Sequence, residues 1–102
     1  MCIPNDGSID GLRNDDVVEI TCDVDKNGCT PHRIGKADEQ NLELIRRVKN
    51  YERLSSKAIR ERSRSAAIQA LTLHPLVNSY SIAVKLVDEF IEHNKNYCGG
   101  WK

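Results

Sequence analysis

The sequence predicts an α+β fold in which a β-hairpin is followed by three α-helices. Three observations predict it: alternating apolar residues from Val17 to Val24, an Asn-Gly turn signal shortly after them, and apolar residues at helical spacing beyond Asp38. A chain of 102 residues has room for one domain with a modest core.

The hairpin is expected at about residues 17–35. Its first strand alternates apolar and polar residues, which is typical of a strand with one covered face and one wet face. Asn27-Gly28 predicts the tight turn. A three-residue loop would pair Ile20 with Ile34, and a two-residue loop would pair Ile20 with Gly35. The first register matches apolar with apolar, so we expect it.

The helices are expected at about residues 38–62, 63–74 and 79–97. Asp38 can cap the first helix, which has no Pro or Gly inside it. Its predicted apolar stripe consists of Leu44, Ile45, Val48, Tyr51, Ala58 and Ile59.

The second and third helices have their own start and stop signals. Ser63 is a candidate N-cap for the second helix, which is apolar on nearly all sides, and Pro75 ends it. Ser79 or Ser81 begins the third helix, and Gly99-Gly100 is expected to stop it. The resulting two-stranded sheet has open edges, which is what a piece of a larger sheet would leave.

Charge and hydropathy exclude several classes of function. Fifteen Lys and Arg residues balance 15 Asp and Glu residues, giving a net charge of +0 and a pI of about 6.8. No overall basic field exists to attract nucleic acid or an anionic membrane, and no apolar run is long enough for a membrane span. Because the first residues show no secretory signal, we expect a cytoplasmic protein with reduced thiols.

The cysteines and histidines are candidates for a metal site or a disulfide. The tight C-x2-C pairs of structural zinc sites are absent, which favours unpaired thiols packed as small apolar residues. Cys22 and Cys29 are expected to be staggered by about three residues or more in the hairpin, roughly 10 Å, so we expect no disulfide between them. The residues concerned are Cys2, Cys22, Cys29, Cys98, His32, His74 and His93.

Clusters of charge also have plain structural interpretations. Asp23 and Asp25 fall on the wet face of the hairpin, where nothing would raise a carboxyl pKa, and Asp15-Asp16 adds no calcium-loop spacing. The arginines of "IRERSRS" (59–65) lack interleaved aromatic residues for stacking on RNA. We therefore predict no catalytic, cofactor-binding or metal-binding residue in this chain.

Three stretches resemble glycoside hydrolase family 4. They are "NDGSIDGLRNDDVVEI" (5–20), "IRRVKNYERLSSKAI" (45–59) and "AAIQALTLHPLVNSYSIAVKLVDEFIEHNKNY" (66–97). Their order and spacing agree with the C-terminal end of that family, and the branch they resemble is that of the bacterial 6-phospho-β-glucosidases.

The resemblance implies that residues 1–102 are the C-terminal segment of an NAD-dependent glycosidase that hydrolyses phosphorylated disaccharides. In such enzymes NAD transiently oxidises the sugar, and a divalent metal, usually manganese, assists elimination of the leaving group. The motifs for both cofactors would lie upstream. The segment would be inactive alone, with the rest of the enzyme as its partner.

A second hypothesis comes from another class of function. A free-standing interaction module without catalytic activity would also present an open sheet edge and apolar helix faces. Under either hypothesis we expect the isolated chain to form a homo-oligomer, because so short a chain has little surface with which to cover these faces internally.

Overall fold

The computed structural model describes residues 1–102 and consists of four short strands and three helices. The predicted α+β class and the three helices are confirmed. The chain divides into two compact units, Met1–Glu43 and Leu44–Lys102, which are described separately below. The elements are β1 (Cys2–Pro4), β2 (Val17–Glu19), β3 (Cys22–Asp25), β4 (Gly28–Pro31), α1 (Glu39–Glu61), α2 (Arg64–Leu73) and α3 (Tyr80–His93).

The first unit contains two separate two-stranded antiparallel sheets, β1-β2 and β3-β4. The prediction of one continuous strand from Val17 to Val24 was wrong. The Ile20 amide donates to the Met1 carbonyl at 3.1 Å, so the N-terminal strand pairs with β2. The next residue, Thr21, accepts instead from His32 at 2.9 Å. The two halves of the apolar pattern therefore pair with different neighbours.

The hairpin β3-β4 has neither of the two predicted registers. Cys22 lies opposite Pro31 and Asp25 opposite Gly28, so the turn is at Lys26-Asn27 rather than Asn27-Gly28. The Asp25 carboxylate explains the shift, because it accepts from the Asn27 amide at 2.7 Å and from the Asn27 side chain at 3.2 Å. Gly28 begins the return strand with a φ of +129°, a conformation that favours glycine.

A small core holds the first unit together. Ile9, Val18 and Ile20 are buried, and partly buried apolar residues pack around them. The sequence predicted that one face of the hairpin would be covered. That face is only partly buried, since Val24 is 66% exposed. The residues around the core are Ile3, Leu12, Cys22, Ala37 and Leu42.

The helix starts agree with the local signals. The Leu42 amide donates to the Asp38 carbonyl at 2.8 Å in the first turn of α1. The Ser63 hydroxyl caps α2 by accepting from Ala66 at 3.3 Å. The Ser79 hydroxyl caps α3 by accepting from Ile82 at 3.4 Å, which selects Ser79 over Ser81.

The end of α3 was predicted too late, at 97 rather than at His93. The C-cap Asn94 leaves the helical conformation, with a φ of -101° and a ψ of 10°. Its backbone amide and its side-chain amide both donate to the Phe90 carbonyl, at 3.1 and 2.9 Å. Residues 94–97 continue only as turns, and Gly99-Gly100 is therefore not the stop signal.

The core of the second unit lies between α2 and α3. Ile68, Ala83 and Val87 are buried there, with Ala83 fully inaccessible. Of the predicted stripe on α1, Ala58 is buried, whereas Leu44 and Ile59 are 53% and 66% exposed. None of the three helices is both long enough and apolar enough to cross a membrane.

Candidate functional site

The loop between β1 and β2 contains the buried polar side chains of the chain, Asn5, Ser8 and Asp16. The fully buried Asn5 accepts from the Ile9 amide at 2.8 Å and donates to the Ile9 carbonyl at 3.1 Å. It also donates to the Leu12 carbonyl at 3.5 Å. The Asn5 amide is therefore occupied on both its donor and its acceptor side, which is how a buried amide avoids a desolvation penalty.

The same loop is bonded through its backbone to the segment before α1. The Ser8 carbonyl accepts from Ile34 at 2.8 Å and from Gly35 at 3.0 Å, and Ile9 forms a parallel bridge with Gly35. Asp16 closes the far side of the loop by accepting from the Arg13 amide at 3.0 Å. The buried polar groups therefore maintain the loop.

The exposed hairpin carries the side chains considered for acid–base or metal chemistry. His32 Nε2 lies 2.8 Å from Asp23 Oδ2, and both side chains are more than half exposed. Asp25 is used in the turn, as described above. Exposed carboxylates of this kind lack the enclosed, water-excluding surroundings of a general acid–base site.

The four cysteines are free thiols. Cys22 and Cys29 are offset by two positions in the observed register, rather than by the three or more expected. A hydrogen bond with the Cys22 thiol raises the pKa of Cys29 above its usual value. The Cys29 thiol also lies 3.6 Å from the Met1 thioether sulfur.

Manganese requires a group of ligating side chains, and NAD requires a glycine-rich phosphate loop between a strand and a helix. No three His, Cys, Asp or Glu side chains converge in a group that could hold a metal ion. The strand-to-helix connection between β4 and α1 contains one glycine, Gly35, and therefore lacks the several glycines of a dinucleotide-binding loop. The residues of this chain thus do not fit either group, and we derive no chemical step from them.

The second unit contains an apolar groove of about 240 Å³. Its lining combines residues from the three helices with Trp101 of the tail. The lining residues are Tyr51, Ser55, Ala58, Ile59, Ala67, Leu71, Val87, Phe90 and Trp101.

Polar contacts fix the elements around this groove. Arg64 forms a two-point ion pair with Asp88, at 2.6 and 2.8 Å. This pairing lowers the pKa of Asp88 and raises that of Arg64. His74 has the helix-end position expected for it, and its ring packs edge-on against Tyr51 with centroids 4.5 Å apart. Sequence reasoning missed the Arg64–Asp88 pair, since 24 residues separate its partners.

The first unit is thus a loop with two small sheets, in which the buried polar side chains bond to the loop itself, and the second unit is built from helices. The family model described as "Family 4 glycosyl hydrolase C-terminal domain" matches residues 1–77. The chain belongs to family 4 of the glycosyl hydrolases, as the resemblance implied.

Curated relatives agree over nearly the whole chain. The maltose-6'-phosphate glucosidase MalH of Clostridium acetobutylicum is 36% identical over 97 residues, covering 95% of this chain and 22% of the relative. The 6-phospho-beta-glucosidase BglT of Thermotoga maritima is 40% identical over 93 residues, covering 91% and 22%. The 6-phospho-beta-glucosidase of Escherichia coli is 38% identical over 90 residues, covering 87% and 20%. This chain thus spans about a fifth of their length.

Solved structures agree as well. A 6-phospho-alpha-glucosidase from gut microorganisms, in complex with NAD and Mn2+, matches with a TM-score of 0.92 at 30% identity. The match covers 99% of this chain and 23% of that one. The T. maritima 6-phospho-beta glucosidase with NAD and glucose-6-phosphate matches with a TM-score of 0.84 at 38% identity, covering 95% and 23%. Both of these structures contain NAD.

Proposed function

We propose that this chain is the C-terminal segment of a 6-phosphoglucosidase that hydrolyses phosphorylated disaccharides. The observation that carries the proposal is the family match over residues 1–77, and the structural matches over 95% and 99% of the chain support it. Within that enzyme the segment has a structural role, because its buried polar side chains are used in holding its own loops.

The whole protein, in this proposal, depends on NAD and a divalent metal, the Mn2+ found in two structures of its relatives. When bound, they supply reversible sugar oxidation and charge stabilisation. The groups that hold them belong to the part of the enzyme that precedes this segment.

The substrate we propose is a 6-phospho-β-glucoside. Two 6-phospho-beta-glucosidases share 40% and 38% identity with this chain, against 36% for a maltose-6'-phosphate glucosidase. Relatives of both anomeric classes are therefore similar to it, and the assay must compare the two anomers directly.

The test uses the full-length protein that contains this segment, with NAD and Mn2+ present. We expect hydrolysis of a chromogenic β-glucoside 6-phosphate, slower hydrolysis of the α anomer, and none of the unphosphorylated β-glucoside. Equal rates on phosphorylated and unphosphorylated substrates would overturn the substrate class. Faster hydrolysis of the α anomer would overturn the β assignment alone.

A matched experiment isolates the role of the segment. Residues 1–102 purified alone are expected to bind neither NAD nor Mn2+ in calorimetry and to show no hydrolysis. Micromolar binding of NAD by the isolated chain would refute the structural role. We also predict that the isolated chain self-associates and that the whole enzyme is a homo-oligomer. Light scattering tests both predictions.

A further inference from the structure

Three sulfur atoms lie together on the hairpin side of the first unit. Side chains alternate between the two faces of a strand, and Cys29 lies directly opposite Val24. Cys22 is two residues before Val24, so both thiols are on the same face as diagonal neighbours. The pKa of Cys29 is raised chiefly by a hydrogen bond with the Cys22 thiol, which agrees with this placement.

The third sulfur comes from a side chain whose backbone is fixed. The Met1 amino group donates to the Ile20 carbonyl at 2.7 Å, and the Ile20 amide donates back to the Met1 carbonyl at 3.1 Å. These two bonds hold Met1 beside the hairpin and place its thioether sulfur 3.6 Å from the Cys29 thiol. We call Met1, Cys22 and Cys29 the sulfur cluster.

The carboxylate side chains of β3 lie on the face of the strand opposite the sulfur cluster. Asp23 and Asp25 alternate with Cys22 and Val24, so their carboxylates point away from the sulfur cluster. His32 pairs with Asp23 at 2.8 Å and is thereby occupied as well. The three sulfurs are thus the side-chain donors of the cluster, and the Ile20 carbonyl oxygen accepts from the Cys22 thiol at 3.6 Å beside them.

We propose that the sulfur cluster is a binding site for a soft monovalent cation, Cu(I) or its analogue Ag(I). Thiolate and thioether sulfur select soft cations, whereas carboxylates and water suit Mg2+ and Mn2+. Three sulfurs around one metal, each with a bond of about 2.3 Å in a trigonal plane, lie about 4 Å apart. The observed 3.6 Å between the Met1 and Cys29 sulfurs needs only a small expansion to reach that geometry.

The binding step is balanced without an oxidant or reductant. The Cys22 and Cys29 thiols each release a proton to water, and each thiolate forms one bond to the metal. The Met1 thioether donates a lone pair and loses no proton. The metal stays monovalent throughout.

The test is an anaerobic titration of the chain with Cu(I) against a chromophoric Cu(I) chelator. We expect about one Cu(I) per chain, ultraviolet sulfur-to-metal charge-transfer absorption, and about three sulfur ligands at about 2.3 Å in X-ray absorption. Ag(I) should compete for the site, and Mn2+ should not displace Cu(I).

Serine variants identify the ligands, with exposed cysteines outside the cluster as matched controls. Cys22→Ser and Cys29→Ser should each weaken Cu(I) binding by more than about ten-fold, because each removes a thiolate. Cys2→Ser and Cys98→Ser should bind as the unaltered chain does. Circular dichroism confirms that each variant retains its helices.

Met1→Leu, released from a cleavable N-terminal fusion, should reduce the sulfur ligands from three to two while Cu(I) still binds. Three sulfur ligands retained in this variant would overturn the role of Met1. Unchanged affinity in Cys29→Ser, or an equal loss in Cys98→Ser, would overturn the site.

Discussion

Arg64, the first residue of α2, and Asp88, within α3, are joined by two parallel charge-assisted hydrogen bonds. Arg64 Nε lies 2.6 Å from Asp88 Oδ1, and Arg64 Nη2 lies 2.8 Å from Asp88 Oδ2. Such a fork-to-fork geometry restrains both position and orientation. The pair therefore links the start of α2 to α3 near the core formed by Ile68, Ala83 and Val87.

The pair predicts a small acid-dependent change in stability. Its hydrogen bonds lower the pKa of Asp88 in the folded state, so the contribution is present above the unfolded pKa near 3.8. It is lost as the pH falls through the folded pKa. Asp88→Asn should therefore lower Tm by about 2 °C at pH 7, since both side chains are partly exposed.

Melting curves between pH 2 and pH 7 test this prediction. The difference between the unaltered chain and Asp88→Asn should shrink toward pH 2. Glu89→Gln, a neighbouring exposed carboxylate, is the control and should show no such convergence. A constant difference at all pH values would contradict the assignment.

Asn5→Ala should be far more disruptive than its exposed counterpart Asn27→Ala. Three backbone groups, at Ile9 and Leu12, lose their partner in a site that is 0% exposed. We expect a loss of about 2–4 kcal/mol, since unsatisfied buried polar groups cost about 1–3 kcal/mol each. Urea unfolding measures it, with hydrogen exchange of the Ile9 amide as a local probe. A cost equal to that of Asn27→Ala would count against this role for Asn5.

Much of the helical architecture could be predicted because its signals are local. Ser63 and Ser79 cap their helices through amides three residues away, and Pro75 follows directly on the helix it ends. A pattern within a few residues determines each of these boundaries. The same reasoning failed at α3, where the backbone leaves the helical conformation at the C-cap Asn94, with a φ of -101° and a ψ of 10°.

The strand pairing could not be predicted because distant residues determine it. The alternating pattern around Val18 and Ile20 correctly indicated buried residues, but Met1 to Pro4 competes for that backbone. Local turn residues indicated the hairpin, yet the Asp25 side chain moved the turn by one residue. The full burial of Asn5 also depends on contacts that a turn signal does not specify.

The α2–α3 core predicts that a buried isoleucine and an exposed isoleucine on these helices differ in their contribution to stability. Ile68 is 4% exposed, whereas Ile82, also on one of these helices, is 50% exposed. Ile68→Ala should cost about 2–5 kcal/mol because it removes buried methyl groups and leaves a cavity. Ile82→Ala should cost less than about 1 kcal/mol. Chemical denaturation compares them, and equal costs would mean that this core does not stabilise the chain.

Arg62 ends α1 in a left-handed conformation that residues other than glycine rarely adopt, with a φ of 50°. Ser63 donates to Ala58 at 2.9 Å and Arg62 to Ile59 at 3.3 Å, the bonding pattern of a Schellman motif. Arg62→Gly should therefore raise stability by about 0.5–1 kcal/mol, with part of the relieved strain offset by greater freedom of the unfolded chain. Arg62→Ala keeps the left-handed strain and should show no gain. Thermal melts of the two variants make the comparison, and a loss of stability in Arg62→Gly would contradict it.

The C-terminal tail forms a backbone clamp across the break between α1 and α2. The Lys102 amide donates to the Arg62 carbonyl at 2.8 Å, and the Arg64 amide donates to the Lys102 carbonyl at 2.7 Å. Deleting residues 99–102 removes both bonds together with Trp101. The Arg64 amide should then exchange about five- to ten-fold faster, the equivalent of about one lost hydrogen bond.

Two internal comparisons make this exchange experiment specific. The Ser63 amide bonds to Ala58 and not to the tail, so its protection should change little on deletion. Trp101→Phe keeps the backbone bonds of Lys102 and should leave the Arg64 amide protected. If Trp101→Phe exposed Arg64 as much as the deletion does, packing of the indole in the groove would explain the protection, and the backbone clamp would not.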